Sequence, residues 1–200
     1  QVETIANALL GLGIGPGERV AVYLPKQLET VVGLFGTAAA GACFVPINPL
    51  LKPRQLAHIL PHCNVRVLLT SATRLESLLS VVSACPDLHT IIVVDDDIPQ
   101  TARDIPKRVL SYREFCGLSS GGRLPHRRID TDMTAILYTS GSTGNPKGVV
   151  LSHRNMVAGA RSVASYLQNT PHDRILAVLP LSFDAGLSQL TTAFAVGASV

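Results

Sequence analysis

The chain has 200 residues, of which 46% are hydrophobic and 16% are charged, so it can bury a sizeable core and does not have the composition of a disordered protein. Its formal net charge is only +3, aromatic residues make up 4% and tryptophan is absent, so we expect no nucleic-acid partner. The chain starts at Gln1 and shows no secretory signal pattern, which leads us to expect a cytoplasmic protein.

Helical and strand patterns alternate from the start of the chain. The predicted elements are, in order, helix 5–10, strand 19–24, helix 28–40, strand 43–46, helix 53–60, strand 65–69, helix 75–84 and strand 90–94. Residues 30–51 carry no charge, but glycines, prolines and an asparagine punctuate them, so we predict a buried helix and strand and no transmembrane segment. The succession predicts an α/β fold of parallel sheets flanked by helices.

Residues 95–128 contain three prolines and a Ser-Ser-Gly-Gly run, and we predict that they form an excursion between two halves of the sheet system. Beyond it, the patterns predict strand 134–138, strand 149–151, helix 155–167, strand 174–179, and a loop and helix over 183–196. We therefore divide the chain into a first α/β subdomain, 1–128, with its linker excursion at 95–128, and the start of a second α/β region, 129–200, which we expect to be incomplete.

Cysteines and histidines offer little sign of a metal site. No two cysteines have the spacing of a zinc or redox pair, so we expect reduced thiols at Cys43, Cys63, Cys85 and Cys116. His58 and His62 stand one helical turn apart, which is a spacing that metals use, but no acidic third ligand accompanies them. Pro61 is also expected to interrupt their helix. We predict structural histidines and assign no metal-ligating residue.

A loop rich in glycines and hydroxyls follows the predicted strand 134–138. Residues 138–148 read Tyr-Thr-Ser-Gly-Ser-Thr-Gly-Asn-Pro-Lys-Gly. Glycines let the backbone approach a ligand without obstruction by a Cβ atom, so that successive N–H groups can point at an anion, and hydroxyls and a lysine add further donors and charge. The pattern predicts a phosphate-binding loop formed by Thr139, Ser140, Gly141, Ser142, Thr143, Gly144 and Lys147.

The loop is not a Walker A motif, because Pro146 stands where that motif has a glycine before its lysine. It resembles the signature of the adenylate-forming (AMP-binding) superfamily, which includes acyl-CoA synthetases, luciferases and the adenylation domains of peptide synthetases. The match runs without a gap from Leu137 to Gly148, and residues 33–49 and 180–190 resemble two further family segments in the same order. The chain is most similar to AMP-dependent acyl-CoA synthetases.

The resemblance implies the fold of the large N-terminal domain of adenylate-forming enzymes. It also implies ATP-dependent activation of a small carboxylic acid to an acyl-adenylate, followed by thioester formation with coenzyme A or with a carrier-protein thiol. The loop would hold the ATP phosphates, Lys147 would stabilise charge during catalysis, and Mg²⁺ would balance the remaining charge. The family's catalytic lysine and its adenine and magnesium segments lie downstream of the matched stretch, so we expect an N-terminal fragment that is inactive alone.

The resemblance leaves the acid open. In amino-acid-activating members, a pair like Phe183-Asp184 contacts the substrate and its aspartate holds the ammonium group, but a serine often stands where this chain has Gly186. Fatty and aryl acyl-CoA synthetases usually have an apolar residue in place of Asp184, and this side chain can equally cap the following helix. We favour a coenzyme A ligase for an acid without an α-amino group. The alternatives are an adenylation domain that loads an amino or hydroxy acid onto a carrier protein, and an inactive nucleotide-binding module.

Overall fold

A single sheet organises the chain in the computed structural model, which describes residues 1–95, 97–119, 127–139 and 145–200. Within these ranges the sheet has seven strands in the order β5-β4-β3-β1-β2-β6-β7. The strands are β1 (Arg19–Tyr23), β2 (Cys43–Pro46), β3 (Val65–Thr70), β4 (Thr90–Val93), β5 (Arg108–Ser111), β6 (Met133–Thr139) and β7 (Lys147–Ser152). Neighbours pair in parallel except β6 and β7, which are antiparallel. The predicted α/β fold is confirmed.

Helices connect these strands and cover both faces of the sheet. They are α1 (Val2–Gly11), α2 (Leu28–Ala39), α3 (Pro53–His62), α4 (Ala72–Ala84), α5 (Tyr112–Gly117), α6 (His153–Leu167) and α7 (Asp184–Val196). Short polar side chains cap the first turn of several helices, and α6 is an example. The Ser152 hydroxyl accepts a hydrogen bond from the Asn155 backbone N–H at 3.2 Å, and the Asn155 side-chain oxygen Oδ1 accepts one from the Ser152 backbone N–H at 2.9 Å. This reciprocal cap satisfies N–H groups at the start of α6 that have no partner within the helix.

The core lies on both sides of the sheet. Alternate residues of β1 point to opposite faces, so that Val20 and Val22 pack in one buried cluster while Ala21 and Tyr23 pack in the other. Helices α1 and α2 complete the first cluster, and α3 and α4 complete the second. A parallel sheet that is buried on both faces reads as uninterrupted apolar runs, which is why the strand patterns were visible in the sequence.

Two predicted features were wrong in the second half of the chain. Residues 174–179 form no strand, and only Arg174 makes an isolated parallel bridge, to Ser199. The apolar run is largely solvent-facing, with Leu176 80% exposed, because no neighbouring strand among the described residues pairs with it. Residues 95–128 were predicted to be an excursion between two halves of the sheet system, but they contribute strand β5, which pairs with β4, and helix α5.

A third expectation, that Pro61 interrupts the helix, was also wrong. Proline removes one hydrogen bond and crowds the preceding turn, but here it stands in the last turn of α3, and only His62 follows it in the helix. His58 and His62 therefore share one helix.

Strands from both sides of the predicted boundary at 128/129 join the same sheet, since β6 pairs with β2 through Phe44 and Ala135. The division into two subdomains stays a prediction. Over the described residues, no helix combines the length and the apolar character needed to cross a membrane.

Candidate functional site

The predicted phosphate loop joins β6 to β7, an antiparallel pair at one edge of the sheet. Thr139, the last residue of β6, lies directly opposite Lys147, the first residue of β7. Both side chains are exposed. The predicted loop residues between them, Ser140, Gly141, Ser142, Thr143 and Gly144, lie outside the described residues. The structure therefore brings together the two ends of the predicted site.

Lys147 has no counter-ion in the described ranges, where no carboxylate lies within 4.0 Å of its ammonium group. An exposed lysine at the end of a strand keeps a long, adjustable side chain, and its charge is free to meet an anionic ligand. The phosphate-binding role of Lys147 stays a prediction.

Gly148, the residue after Lys147, is required by close packing. A Cβ atom at this position would lie 2.8 Å from a methyl carbon of Ile136 and 3.3 Å from the ring of Tyr138. Tyr138 is the direct partner of Gly148 in the β6–β7 ladder. The last glycine of the motif thus leaves room for the tyrosine ring beside it, which is a role that the sequence pattern alone did not indicate.

Two histidines of α3 contact this hairpin. The Nδ1 atom of His62 is 2.7 Å from the hydroxyl of Tyr138, and the Nε2 atom of His58 is 3.2 Å from the carbonyl oxygen of Pro146. Burial raises the pKa of the Tyr138 hydroxyl, and the neighbouring Cys63 thiol adds to the effect, so the phenol stays protonated. Sequence reasoning treated the histidines as structural and did not connect them to the loop.

Phe183 and Asp184 lie at the start of α7. Phe183 is the residue before the helix and is 45% exposed, and Asp184 is the first helical residue. One Asp184 carboxylate oxygen accepts the N–H of Ala185 at 2.7 Å. Asp184 also lines an open cavity of about 630 Å³ between α6 and α7, together with Ala185 and Ser188. Asp184 thus contacts the helix start through its carboxylate and is one of the residues that line the cavity, and both predicted roles stay open.

Gly186 is fixed by the turn that precedes α7. A Cβ atom there would lie 2.0 Å from the carbonyl oxygen of Pro180 and 3.0 Å from that of Leu179. The same Pro180 oxygen accepts the N–H of Phe183 at 3.1 Å, which holds the turn in place. A serine at this position would need the backbone to move.

The described residues hold no group of three or more histidine, cysteine or acidic side chains that could bind a metal ion. All four cysteines are free thiols. Burial is the main cause that raises the pKa of Cys43, to about 12, and it also raises the pKa values of Cys63 and Cys85. These buried thiols stay protonated and unreactive near neutral pH.

The whole chain, residues 1–200, matches the model of the AMP-binding enzyme family. The chain belongs to this family. It is 34% identical over 188 residues to the sulfoacetate–CoA ligase of Cupriavidus necator, which covers 92% of this chain and 34% of that protein. It is 33% identical over 203 residues to the L-proline–[L-prolyl-carrier protein] ligase of Streptomyces coelicolor, which covers 100% of this chain and 37% of that protein.

A solved structure of this family agrees with the fold. The anthranilate CoA ligase AuaEII, in complex with anthranoyl-AMP, superposes with a TM-score of 0.90 at 30% identity, over 99% of this chain and 37% of that one. The predicted membership of the adenylate-forming superfamily is confirmed. The chain spans 34% and 37% of the length of these two curated relatives.

Proposed function

We propose that this chain is the phosphate-binding part of an enzyme that activates a carboxylic acid with ATP and then transfers the acyl group to a thiol. The observation that carries the proposal is the β6–β7 hairpin, where Thr139 and Lys147 face each other at the base of the family's signature loop. Because these two curated relatives are about three times as long as the chain, the complete reaction is proposed for a protein of which this chain is one part.

The chemistry explains why such a loop is needed. A carboxylate is a poor electrophile, because its leaving group would be an oxide ion. Attack of a carboxylate oxygen on the α-phosphorus of ATP expels pyrophosphate and forms an acyl-adenylate, from which AMP leaves readily when a thiolate attacks the carbonyl carbon. The charge that develops on the departing phosphates must be neutralised, which is the role proposed for Lys147 and the loop N–H groups and hydroxyls. Mg²⁺ bound to the phosphates would supply further neutralising charge.

For the acid and the acceptor, we propose an acid without an α-amino group and the thiol of coenzyme A. The tight contact of Gly186 with Pro180 supports this choice, because it leaves no room for the serine common in amino-acid-activating relatives. The similarity to two CoA ligases, one for sulfoacetate and one for anthranilate, supports it as well.

A carrier-protein acceptor is the second hypothesis. Asp184 lines the cavity between α6 and α7, where its carboxylate could hold an ammonium group. The chain is also as similar to an L-prolyl-carrier-protein ligase as to the sulfoacetate enzyme. The third hypothesis, an inactive nucleotide-binding module, is disfavoured by Lys147, whose charge no carboxylate of the described ranges neutralises.

One assay series separates these hypotheses. The full-length protein is incubated with ATP, labelled pyrophosphate and one acid at a time from fatty, aryl, sulfonated and amino-acid classes, and the acid-dependent label in ATP is measured. We expect exchange with acids that lack an α-amino group, and an acyl-CoA product when coenzyme A is added. Exchange with amino acids alone would select the carrier-protein hypothesis, and no acid-dependent exchange across the panel would contradict the proposed function.

A further inference from the structure

The two histidines of α3 contact the two sides of the β6–β7 hairpin that carries the predicted phosphate loop. They are four residues apart, so they lie one above the other on the same helix face, and their ring centroids are 5.0 Å apart with an angle of 31° between the planes. His58 is half-buried and His62 is exposed. From this face, His62 reaches Tyr138 in β6, whereas His58 reaches Pro146, the residue before β7.

Each contact lies directly beside an end of the predicted phosphate site. Tyr138 immediately precedes Thr139, and Pro146 immediately precedes Lys147. The His62 and Tyr138 rings also meet edge to face, with centroids 5.8 Å apart at 74°. The sequence separations are 76 and 88 residues, so these are tertiary contacts between a helix on one face of the sheet and the base of the hairpin.

The partner atoms determine which group donates the hydrogen in each of the two bonds. A carbonyl oxygen only accepts, so the Nε2 atom of His58 must carry the hydrogen that it donates to Pro146. The Tyr138 hydroxyl can donate or accept, so it can pair with either tautomer of His62. The His58 bond is therefore the more specific of the two.

The Pro146 contact bears on Lys147 through the peptide bond. The Pro146 carbonyl and the Lys147 nitrogen lie in one planar group, and the proline ring already fixes φ at residue 146. Holding the carbonyl oxygen thus fixes the remaining rotation of that plane and with it the direction in which the Lys147 backbone enters β7. On the other strand, His62 bonds the side-chain hydroxyl of Tyr138, and the ring of that tyrosine lies against Gly148.

We propose that His58 and His62 are positioning residues of the phosphate loop: they hold both strands of its hairpin and so set the position of Lys147 for the phosphates of ATP. The inference rests on the proposed function only in taking the loop's ligand to be ATP. It assigns neither histidine a role in bond making or breaking.

The test compares four variants of the full-length protein with a matched control. His58→Ala and His62→Ala remove the contacts, whereas His58→Gln and His62→Asn place amide nitrogens near the positions of Nε2 and Nδ1. His89→Ala serves as the control, because His89 is also exposed but bonds Arg66 elsewhere in the fold. For each protein, ATP binding is measured by calorimetry, KM values for ATP and the acid by exchange kinetics, and the melting temperature by circular dichroism.

We expect His58→Ala to raise the Kd and the KM for ATP about three- to ten-fold, the range for losing one hydrogen bond, while the KM for the acid and the melting temperature stay near those of the wild type. His58→Gln should restore most of the ATP affinity. His62→Ala should behave similarly, and His62→Asn should recover part of the loss. Adding His62→Ala to Tyr138→Phe, which keeps the ring and removes the hydroxyl, should cause little further change if both act through one bond.

Two results would overturn the inference. Unchanged ATP binding in both alanine variants would show that the contacts do not position the loop. Equal losses in the alanine and amide variants, accompanied by lower melting temperatures, would show that the histidines only stabilise the fold. Failure of the proposed function is separable from both, because it appears in the wild type, as ATP binding without acid-dependent exchange or as no ATP binding.

Discussion

Replacing Gly186 by alanine tests the packing at the start of α7. The added Cβ atom would lie 2.0 Å from the Pro180 carbonyl oxygen, whereas ordinary contacts begin near 3.4 Å. Both Pro180 and Leu179 oppose it with backbone atoms, which cannot rotate away as a side chain can. Either the turn or the first turn of α7 must therefore shift.

The change in the free energy of unfolding of Gly186→Ala is the sum of two opposing effects. Overpacking of this kind costs about 1–3 kcal/mol, and alanine regains up to about 1 kcal/mol through its higher helix propensity. We expect a net loss of about 1–2 kcal/mol in the free energy of unfolding. For a chain of this size, that corresponds to a melting temperature about 2–8 °C lower.

Gly159→Ala is the matched control, because Gly159 lies within α6 and an added Cβ atom there meets nothing within 4 Å. It should raise the free energy of unfolding by about 0.4–1 kcal/mol. The chain has no tryptophan, so both variants are compared by circular dichroism during thermal and urea unfolding. If Gly186→Ala melts at or above the wild-type temperature, the contact with the Pro180 carbonyl oxygen is not rigid and does not exclude a serine at this position.

Three further predictions concern ionisation, the substrate and helix capping. Burial raises the pKa of the Cys43 thiol from 9.0 to about 12, so the thiol of the unfolded chain loses its proton at lower pH than the thiol of the folded chain. The free energy of unfolding should therefore fall between about pH 9 and about pH 12, and it should fall less in Cys43→Ala. Thermal melts across this pH range test the prediction. Asp184→Ala should leave the preference among acids in pyrophosphate exchange unchanged. It should lower the free energy of unfolding by about 0.3–1 kcal/mol, because a negative charge near a helix N-terminus stabilises the helix. Loss of amino-acid activation without a change in melting temperature would contradict this prediction. Ser152→Ala should destabilise the protein by about 0.5–2 kcal/mol in urea unfolding, since it removes the acceptor for the Asn155 N–H, and an unchanged midpoint would contradict the capping role.

The parallel core could be predicted from the sequence because its strands are buried on both faces. The strand at 43–46 was placed with the bounds that the structure gives, since all four of its residues are buried and apolar. The same logic failed for residues 174–179, which are apolar enough to be a strand but pair with no strand of the described residues and make only an isolated bridge at Arg174. A strand needs a neighbour, and a sequence pattern does not supply one. Strand β5 was missed for the converse reason, because it is short and only partly buried at the sheet edge.

The residues of the candidate site were easier to predict from the sequence than the tertiary contacts that hold its hairpin. The local motif predicts Thr139 and Lys147 as members of one phosphate site, which stays a prediction, and the described structure places the two residues opposite each other. The two histidine contacts could not be predicted, because they join residues 76 and 88 positions apart. The sequence also marked Gly186 only as a departure from a pattern, whereas the structure gives it a physical cause in the carbonyl oxygen of Pro180.

Acid-dependent exchange of pyrophosphate into ATP by Lys147→Ala tests the central claim most directly. Lys52→Ala is the control, since Lys52 is also exposed and its backbone bond to Gln55 survives the change. The proposed contact to the phosphates predicts that Lys147→Ala slows exchange by one to three powers of ten, about the effect of removing one group that stabilises developing charge, while Lys52→Ala stays near the wild-type rate. A wild-type rate in a folded Lys147→Ala protein would contradict the assignment of this hairpin as the ATP-phosphate site.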